Sequence, residues 1–268
     1  MVTAGRLRAD IERLKAFRGA GSATVPEDRL EFAHSLGIVP DSWQARLLRS
    51  EAPRVLLNCA RQSGKSTMAS LLGLHTALIV PGSLILILAP AERQAKELFS
   101  KLASAYQTLG HIIRVDSYRK MGMELSNGSR IEALPGTEKT IRGFSSVDLL
   151  LVDEASRIAD ELYYAVRPML AVSGGRLMML TTPYGRRGVF YEEWTGGEGW
   201  ERYEVPASQC PRISEEFLEE EPRTLPRRVF RQEYECSFEE TDDQVFSHED
   251  VQAAISEEVT PLFGVVGG

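Results

Sequence analysis

Cys59-Ala60-Arg61-Gln62-Ser63-Gly64-Lys65-Ser66-Thr67 decides how this chain is read. It follows the phosphate-loop pattern G-x-x-x-x-G-K-[ST], with the first glycine replaced by Cys59. Loops of this kind aim backbone N–H groups at phosphates from a helix N-terminus. The pattern places Lys65 at the β- and γ-phosphates, the Ser66 hydroxyl on Mg²⁺, and Gly64 where the backbone passes close to the phosphates. A stray Gly-Lys-Ser in any strand-turn-helix would carry no such meaning. Here the context is the required one: Arg54 to Cys59 reads as a short buried strand, and Lys65 to about Ile79 as an apolar-faced helix. Arg61 adds a fixed positive charge beside Lys65. It is either a solvated turn residue or, as its place in the loop favours, a charge that senses or stabilises the γ-phosphate.

The second decisive stretch is Leu149-Leu150-Leu151-Val152-Asp153-Glu154. Four apolar residues in a row suit a strand covered on both faces. Such a strand delivers its last residues to the sheet edge where nucleotides bind in open α/β folds. There Asp153 would hold Mg²⁺ through water, and Glu154 would polarise the attacking water as general base. Two solvated acids at a strand end are common. A strand of this kind downstream of a phosphate loop is a far more specific combination.

Three weaker signals flank this pair. Trp43-Gln44 lies about twenty residues before Gly64. A glutamine there can pair with both hydrogen-bonding sites of the adenine edge, or Trp43 is core and Gln44 surface. Thr181-Thr182-Pro183 follows the strand after the acidic one; it reads as an ordinary strand-ending turn or as a γ-phosphate sensor. Arg142, in Thr140-Ile141-Arg142-Gly143-Phe144, is either a surface charge or an arginine finger.

The 268 residues suffice for one large domain or two small ones, and 43% hydrophobic content allows a sizeable core. Cys59, Cys210 and Cys236 are far apart without C-x-x-C spacing, which argues for a reduced cytosolic protein with neither disulfide nor zinc site. The N-terminus carries no signal-peptide pattern, and the apolar region Leu71 to Pro90 is interrupted by His75, Pro81, Gly82 and Ser83, so no membrane span is expected. The net charge of -7 is unevenly spread. From Ile213 onward there are 15 acids against 4 Lys and Arg, whereas the rest has 27 bases against 23 acids. A mildly basic body with an acidic tail permits contact with DNA.

Periodicity predicts an amphipathic helix over residues 3–18, a loop over 19–26, and a helix start at Pro40-Asp41-Ser42 with Asp41 or Ser42 as cap. Further strands are expected at Ser83–Leu88, Arg176–Leu180 and, as an edge strand, Glu201–Val205. Helices are expected at Glu92–Leu109, Glu161–Leu170, Ser214–Glu221 and Pro226–Tyr234. Ser126-Asn127-Gly128-Ser129 reads as the turn of a β-hairpin between 123–125 and 130–133. Alternating strands and helices imply an α/β sandwich around a mostly parallel sheet. His34, His75, His111 and His248 have no ligand spacing, the glutamates of 215–221 read as one solvated helical face, and no Ser/His/Asp set is credible.

Together these residues resemble the ATPase domain of large terminase subunits, the DNA-packaging motors of tailed bacteriophages. The resemblance runs from about Pro40 to Phe246 and is carried by Trp43-Gln44, Arg61-Gln62-Ser63-Gly64-Lys65-Ser66, Ile141-Arg142-Gly143, Leu151-Val152-Asp153-Glu154-Ala155, Thr181-Thr182-Pro183 and Phe230-Arg231-Gln232-Glu233-Tyr234-Glu235-Cys236. A phosphate loop with an arginine two residues after its missing glycine is typical of that family. The resemblance implies a RecA-like P-loop NTPase of the additional-strand, conserved-glutamate class, a three-layer sandwich followed by a small helical subdomain and linker. It implies a Mg²⁺-dependent ATPase in which ATP is bound by Trp43, Gln44 and Arg61 through Thr67, and Mg²⁺ by Ser66 and Asp153. Lys65, Glu154, Arg61 in cis and Arg142 in trans would be catalytic, and Thr181-Thr182-Pro183 would couple hydrolysis to movement. Implied partners are double-stranded DNA, the portal protein, the small terminase subunit and further copies in a ring, a pentamer by resemblance, in the host cytoplasm and away from membranes.

The implied divisions are an N-terminal helical segment over 1–39, the ATPase core over 40–206, the helical subdomain and linker over 207–246, and the cut-short start of a nuclease region over 247–268. Family members usually continue into a nuclease whose first strand carries a metal-binding Asp. Phe263-Gly264-Val265-Val266-Gly267-Gly268 has none, so no nuclease activity is expected from this polypeptide. Two other readings are a superfamily 2 helicase-like translocase, for which the chain lacks a second core, and a prophage remnant that only binds nucleotide.

Overall fold

The structure is a computed structural model describing residues 24–110, 112–135, 141 and 143–240. The helix expected over residues 3–18, the residues His111 and Arg142, and everything beyond Glu240 lie outside the described residues. Along the chain come α1 (Arg29–Ser35), α2 (Ser42–Arg49), β1 (Arg54–Cys59), α3 (Lys65–Ile79), β2 (Leu84–Ala89), α4 (Glu92–Thr108), β3 (Val115–Arg119) and β4 (Gly122–Leu125). Then follow β5 (Arg130–Pro135), β6 (Leu149–Asp153), α5 (Asp160–Val166), β7 (Arg176–Thr181), α6 (Gly188–Thr195), β8 (Glu201–Val205), α7 (Glu215–Glu220) and α8 (Arg227–Tyr234).

The strands form one sheet in the order β3-β4-β5-β2-β6-β7-β1-β8. The six from β5 to β8 are mutually parallel, and β3 and β4 extend the β5 edge as antiparallel strands. Side-chain alternation along each central strand sorts the core onto two faces. Val55, Leu57, Ile85, Ile87, Leu149, Leu151, Met178 and Leu180 pack with α1 to α4. Leu56, Leu84, Leu86, Leu88, Leu150, Val152, Leu177 and Met179 pack on the other face with α5 and α6. This is the three-layer sandwich. It also explains why β2 and β6 are continuously apolar: no residue of either strand faces water. Truncating a fully buried member such as Leu151 to Ala should cost about 2–5 kcal/mol.

The local signals mostly place the elements. Asp28 caps α1 by accepting from the N–H groups of Leu30 and Glu31. At α2 the Asp41 N–H donates to Gln44 Oε1. The helical run expected to Leu170 ends as α-helix at Val166 and continues as a 3₁₀ turn over Arg167–Leu170, where Pro168 lacks the N–H that an α-turn needs. The β4–β5 hairpin forms as expected, with a different turn. Only Gly128 has positive φ (+85°), while the Asn127 side chain donates to Ala77 O and accepts from Ser129 N–H. Asn127 therefore ties the hairpin to α3 rather than forming a two-residue turn.

Candidate functional site

Loop 60–64 runs from the end of β1 into α3, and Asp153, Glu154, Thr181 and Thr182 lie at this same end of the parallel strands. Gly64 has φ +91°, a region open to glycine at little cost. A Cβ here would sit 2.7 Å from Gln44 Nε2. Gln62 is also left-handed, at φ +60°. The N–H groups of Lys65, Ser66 and Thr67 open α3 and have no intrahelical acceptor. The loop is held from outside. Gln44 Nε2 donates to Ser63 O at 3.3 Å, and Arg212 Nη2 donates to the same oxygen at 2.8 Å. Arg212 also pairs with Asp41 at 2.8 Å.

Lys65 is nearly buried, 8% exposed, and its Nζ donates to Thr182 Oγ1 at 2.9 Å. Thr182 directly follows β7. Its neighbour Thr181 donates through Oγ1 to Thr182 O at 2.7 Å and accepts from Ser156 N–H at 3.3 Å. Ser156 lies in the 3₁₀ turn after Glu154. Thr181 and Thr182 thus touch both the lysine of the phosphate loop and the turn that follows the acidic pair.

Asp153 ends β6 and is 7% exposed; its Oδ1 accepts from Glu154 N–H at 3.0 Å. Burial, reinforced by the neighbouring Glu154 charge and opposed by Lys65, pushes its carboxyl up to about 6. Glu154 turns left-handed (φ 50°, ψ 44°), leaves the sheet and lines the cleft. Arg61 is largely exposed. Its N–H donates to Glu233 O at 3.0 Å, and its Nε pairs with Glu233 Oε2 at 2.6 Å.

Residues 61–67 form one wall of an open cleft of about 1000 Å³. Glu97, Lys101 and Glu154 contribute further lining, with Arg212, Ile213, Ser214 and Phe217 from the segment after β8. Arg61, Lys65, Lys101 and Arg212 make it a cationic lining around unpaired helix N–H groups, a donor set suited to a polyphosphate. A buried carboxylate whose charge is poorly solvated, a second carboxylate next to it and the Ser66 hydroxyl supply the hard oxygen donors that Mg²⁺ prefers.

Of the expected site residues, Arg61 to Thr67 and Glu154 line the cleft, and Asp153, Thr181 and Thr182 adjoin it. Trp43 is buried in the core and does not line the cleft. Gln44 is also buried, and its carboxamide accepts from Asp41 N–H and donates to Ser63 O, bracing the loop. Arg142 cannot be placed, since it lies outside the described residues. Arg212 carried no signal in the sequence: it reaches Ser63 across 149 residues. Cys59, where the pattern has glycine, is fully buried, and burial raises its thiol pKa strongly. Cys59, Cys210 and Cys236 are all free thiols. Among the described residues no helix is long and apolar enough to cross a membrane.

The family model for the N-terminal part of the T4likevirus-type terminase large subunit matches residues 56–253. The large terminase subunits of Thermus phage G20c and Escherichia phage T5 are each 27% identical to this chain, over alignments covering 83% and 78% of it. The chain spans about half their length, 53% and 50%. Among solved structures, the large terminase ATPase domain of Thermus phage P74-26 superposes with a TM-score of 0.69 at 24% identity, covering 78% of this chain and 98% of that one. The large terminase of another thermophilic bacteriophage, solved in complex with ADP, gives 0.64 at 12% identity, covering 74% and 54%. These two likenesses show a shared RecA-like α/β fold.

Proposed function

The chain belongs to the terminase large subunit family, T4likevirus-type, and on that premise we propose that it hydrolyses ATP to drive double-stranded DNA into a phage procapsid. The observation that carries the reading is the meeting of Lys65, Asp153-Glu154 and Thr181-Thr182 at one end of the sheet. Backbone N–H groups of residues 65–67 and the Lys65 ammonium bind the phosphates and orient them. Ser66 and Asp153 would hold Mg²⁺, which when bound would neutralise charge on the phosphate oxygens. Glu154 accepts a proton from the attacking water at its carboxylate. Arg61 supplies positive charge in cis, and Arg142 supplies it to the site of a neighbouring copy. Thr181, Thr182 and Pro183 pass the loss of the terminal phosphate to the rest of the motor, since Thr182 already contacts Lys65.

Family membership supports the portal protein, the small terminase subunit and further copies in a ring as partners, in the host cytoplasm. The mildly basic charge balance before Ile213 suits a DNA-contacting body. Nothing in the site favours the helicase-like or remnant readings. The reading is tested by equilibrium binding of ATP to the full chain. Lys65→Ala should weaken binding at least about tenfold, the scale of a lost charge-assisted contact. Unchanged affinity would remove Lys65 from the site.

A further inference from the structure

After Glu154 the chain makes one short 3₁₀ turn, Ala155–Arg157. Glu154 itself is left-handed at φ 50°, a conformation that a residue with a Cβ keeps only where its surroundings hold it. Its N–H donates to Asp153 Oδ1 at 3.0 Å, and its carbonyl accepts from Arg157 N–H at 2.9 Å. Within the turn, Ala155 is buried and Ser156 N–H donates to Thr181 Oγ1 at a long 3.3 Å. The tip of the turn is Arg157, exposed to solvent, with its guanidinium carbon 3.8 Å from the centre of the Tyr184 ring. Among the described residues Arg157 pairs with no carboxylate, so the ring is what fixes its side chain. Tyr184 is a firm platform. It follows buried Pro183 and precedes the left-handed Gly185 (φ 71°). Beyond it the segment is fastened twice: Arg186 Nε donates to Phe238 O at 3.0 Å, and Val189 N–H donates to Asp160 Oδ1 at 2.8 Å.

We propose that Arg157 and Tyr184 are positioning residues for the general base: the stacked pair keeps the 155–157 turn closed and thereby holds the left-handed Glu154 with its carboxylate in the cleft. This rests on the reading of Glu154 given above. A single 3₁₀ turn has poor hydrogen-bond geometry and is weak on its own. A cation over an aromatic face is attracted by the ring quadrupole, and here no described carboxylate competes for it. Neither side chain lines the cleft, so the pair acts on the rate through Glu154 and not on ATP binding. The rate is the sensitive quantity, since displacing a catalytic group by about 1 Å can cost about 10²-fold. A merely structural pair would lower stability or affinity and leave the rate of the bound complex alone.

The test compares the full chain with Arg157→Ala, Tyr184→Leu, Tyr184→Phe and the Arg157→Ala/Tyr184→Leu double variant. It measures ATP affinity, phosphate release at saturating ATP and Mg²⁺, and amide hydrogen exchange over residues 155–157 in the nucleotide-free proteins. Arg157→Ala and Tyr184→Leu should each slow phosphate release about three- to tenfold, the scale of a cation–π contact, with ATP affinity within about twofold of the parent. Tyr184→Phe keeps the ring and should stay within about twofold of the parent in rate. The double variant should be no slower than the slower single variant, because each change removes the same contact. Exchange over 155–157 should be faster in both single variants and unchanged in Tyr184→Phe. Parent-like exchange and phosphate release in Arg157→Ala, a loss in ATP affinity instead of rate, Tyr184→Phe as slow as Tyr184→Leu, or losses that multiply in the double variant each overturn the proposal while leaving the ATP site in place. A parent chain that binds ATP and releases no phosphate overturns the general-base reading and this proposal with it.

Discussion

The Nζ of Lys65 donates to Thr182 Oγ1 at 2.9 Å, joining the phosphate loop to the end of β7 across 117 residues. Lys65 is 8% exposed, so this hydroxyl is a principal partner of a nearly buried ammonium. Thr182→Val keeps the shape and removes the acceptor. In the nucleotide-free protein the change should cost about 1–3 kcal/mol. A bound nucleotide offers phosphate oxygens in place of the hydroxyl, so the thermal stabilisation by ATPγS should be larger in Thr182→Val than in the parent. Unfolding scans with and without ATPγS check this. An equal loss in both states would mean that Lys65 does not exchange Thr182 for phosphate.

Asp153 carries a testable destabilisation. Its carboxyl is pushed up to about 6 in the folded chain from an ordinary value of 3.8. Between these values the folded state binds the proton more tightly than the unfolded state, so stability falls as pH rises through the window. Above about pH 6 the full penalty is present; below about pH 4 it is absent. In metal- and nucleotide-free buffer, Asp153→Asn should therefore be more stable than the parent at pH 7.5, by on the order of 1–3 kcal/mol. The advantage should shrink as pH falls toward 4. Thermal unfolding across pH checks it, and a variant less stable at pH 7.5 would show that the buried charge is better compensated than its surroundings indicate.

Gly64 is constrained twice, by its φ of +91° and by Gln44 Nε2 at 2.7 Å from the place of a Cβ. Gly64→Ala should destabilise by about 1–3 kcal/mol and displace the Gln44 carboxamide from Ser63 O. Gln44→Ala in the same chain removes the steric part and leaves the backbone part. The double variant should then be more stable than the sum of the two single losses, as chemical denaturation would report. Simple additivity would mean that Gln44 yields freely and does not brace the loop.

The path from β1 through the loop to α3 was legible because three local signals coincide there: an apolar strand, a glycine that can turn left-handed, and an apolar helix. Leu149 to Asp153 was legible for the same reason, since burial on both faces leaves no polar residue in the run before the carboxylate. The elements absent from the sequence expectations lack such signals. β3 is Val-Asp-Ser-Tyr-Arg, an exposed edge strand held by pairing with β4 rather than by burial. α6 begins at Gly188, has no side-chain cap in its own first turn, and relies on Asp160 Oδ1 accepting from Val189 N–H. α1 is short and stands on its Asp28 cap and on Phe32 reaching the core.

The site was legible as a set of residue types and only partly as a set of contacts. Lys65, Asp153 and Glu154 could be named because their motifs are contiguous. Arg212 and Glu233 could not be tied to the loop because nothing local records that they reach Ser63 and Arg61. Gln44 is legible in the same partial way: a carboxamide can face a base or a backbone carbonyl, and only the fold shows Ser63 O beside it.

The central claim is that this cleft hydrolyses ATP with Glu154 as general base, and Glu154→Gln tests it most directly. The measurement pairs equilibrium ATP binding with the rate of phosphate release at saturating ATP and Mg²⁺, at the same protein concentration for variant and parent. Glu154 lies at the cleft surface, so the isosteric change should leave the fold and ATP affinity within about threefold of the parent. Phosphate release should fall by about 10²–10⁴-fold, the contribution of a positioned general base. Unchanged phosphate release in Glu154→Gln, with ATP bound as in the parent, would contradict the account.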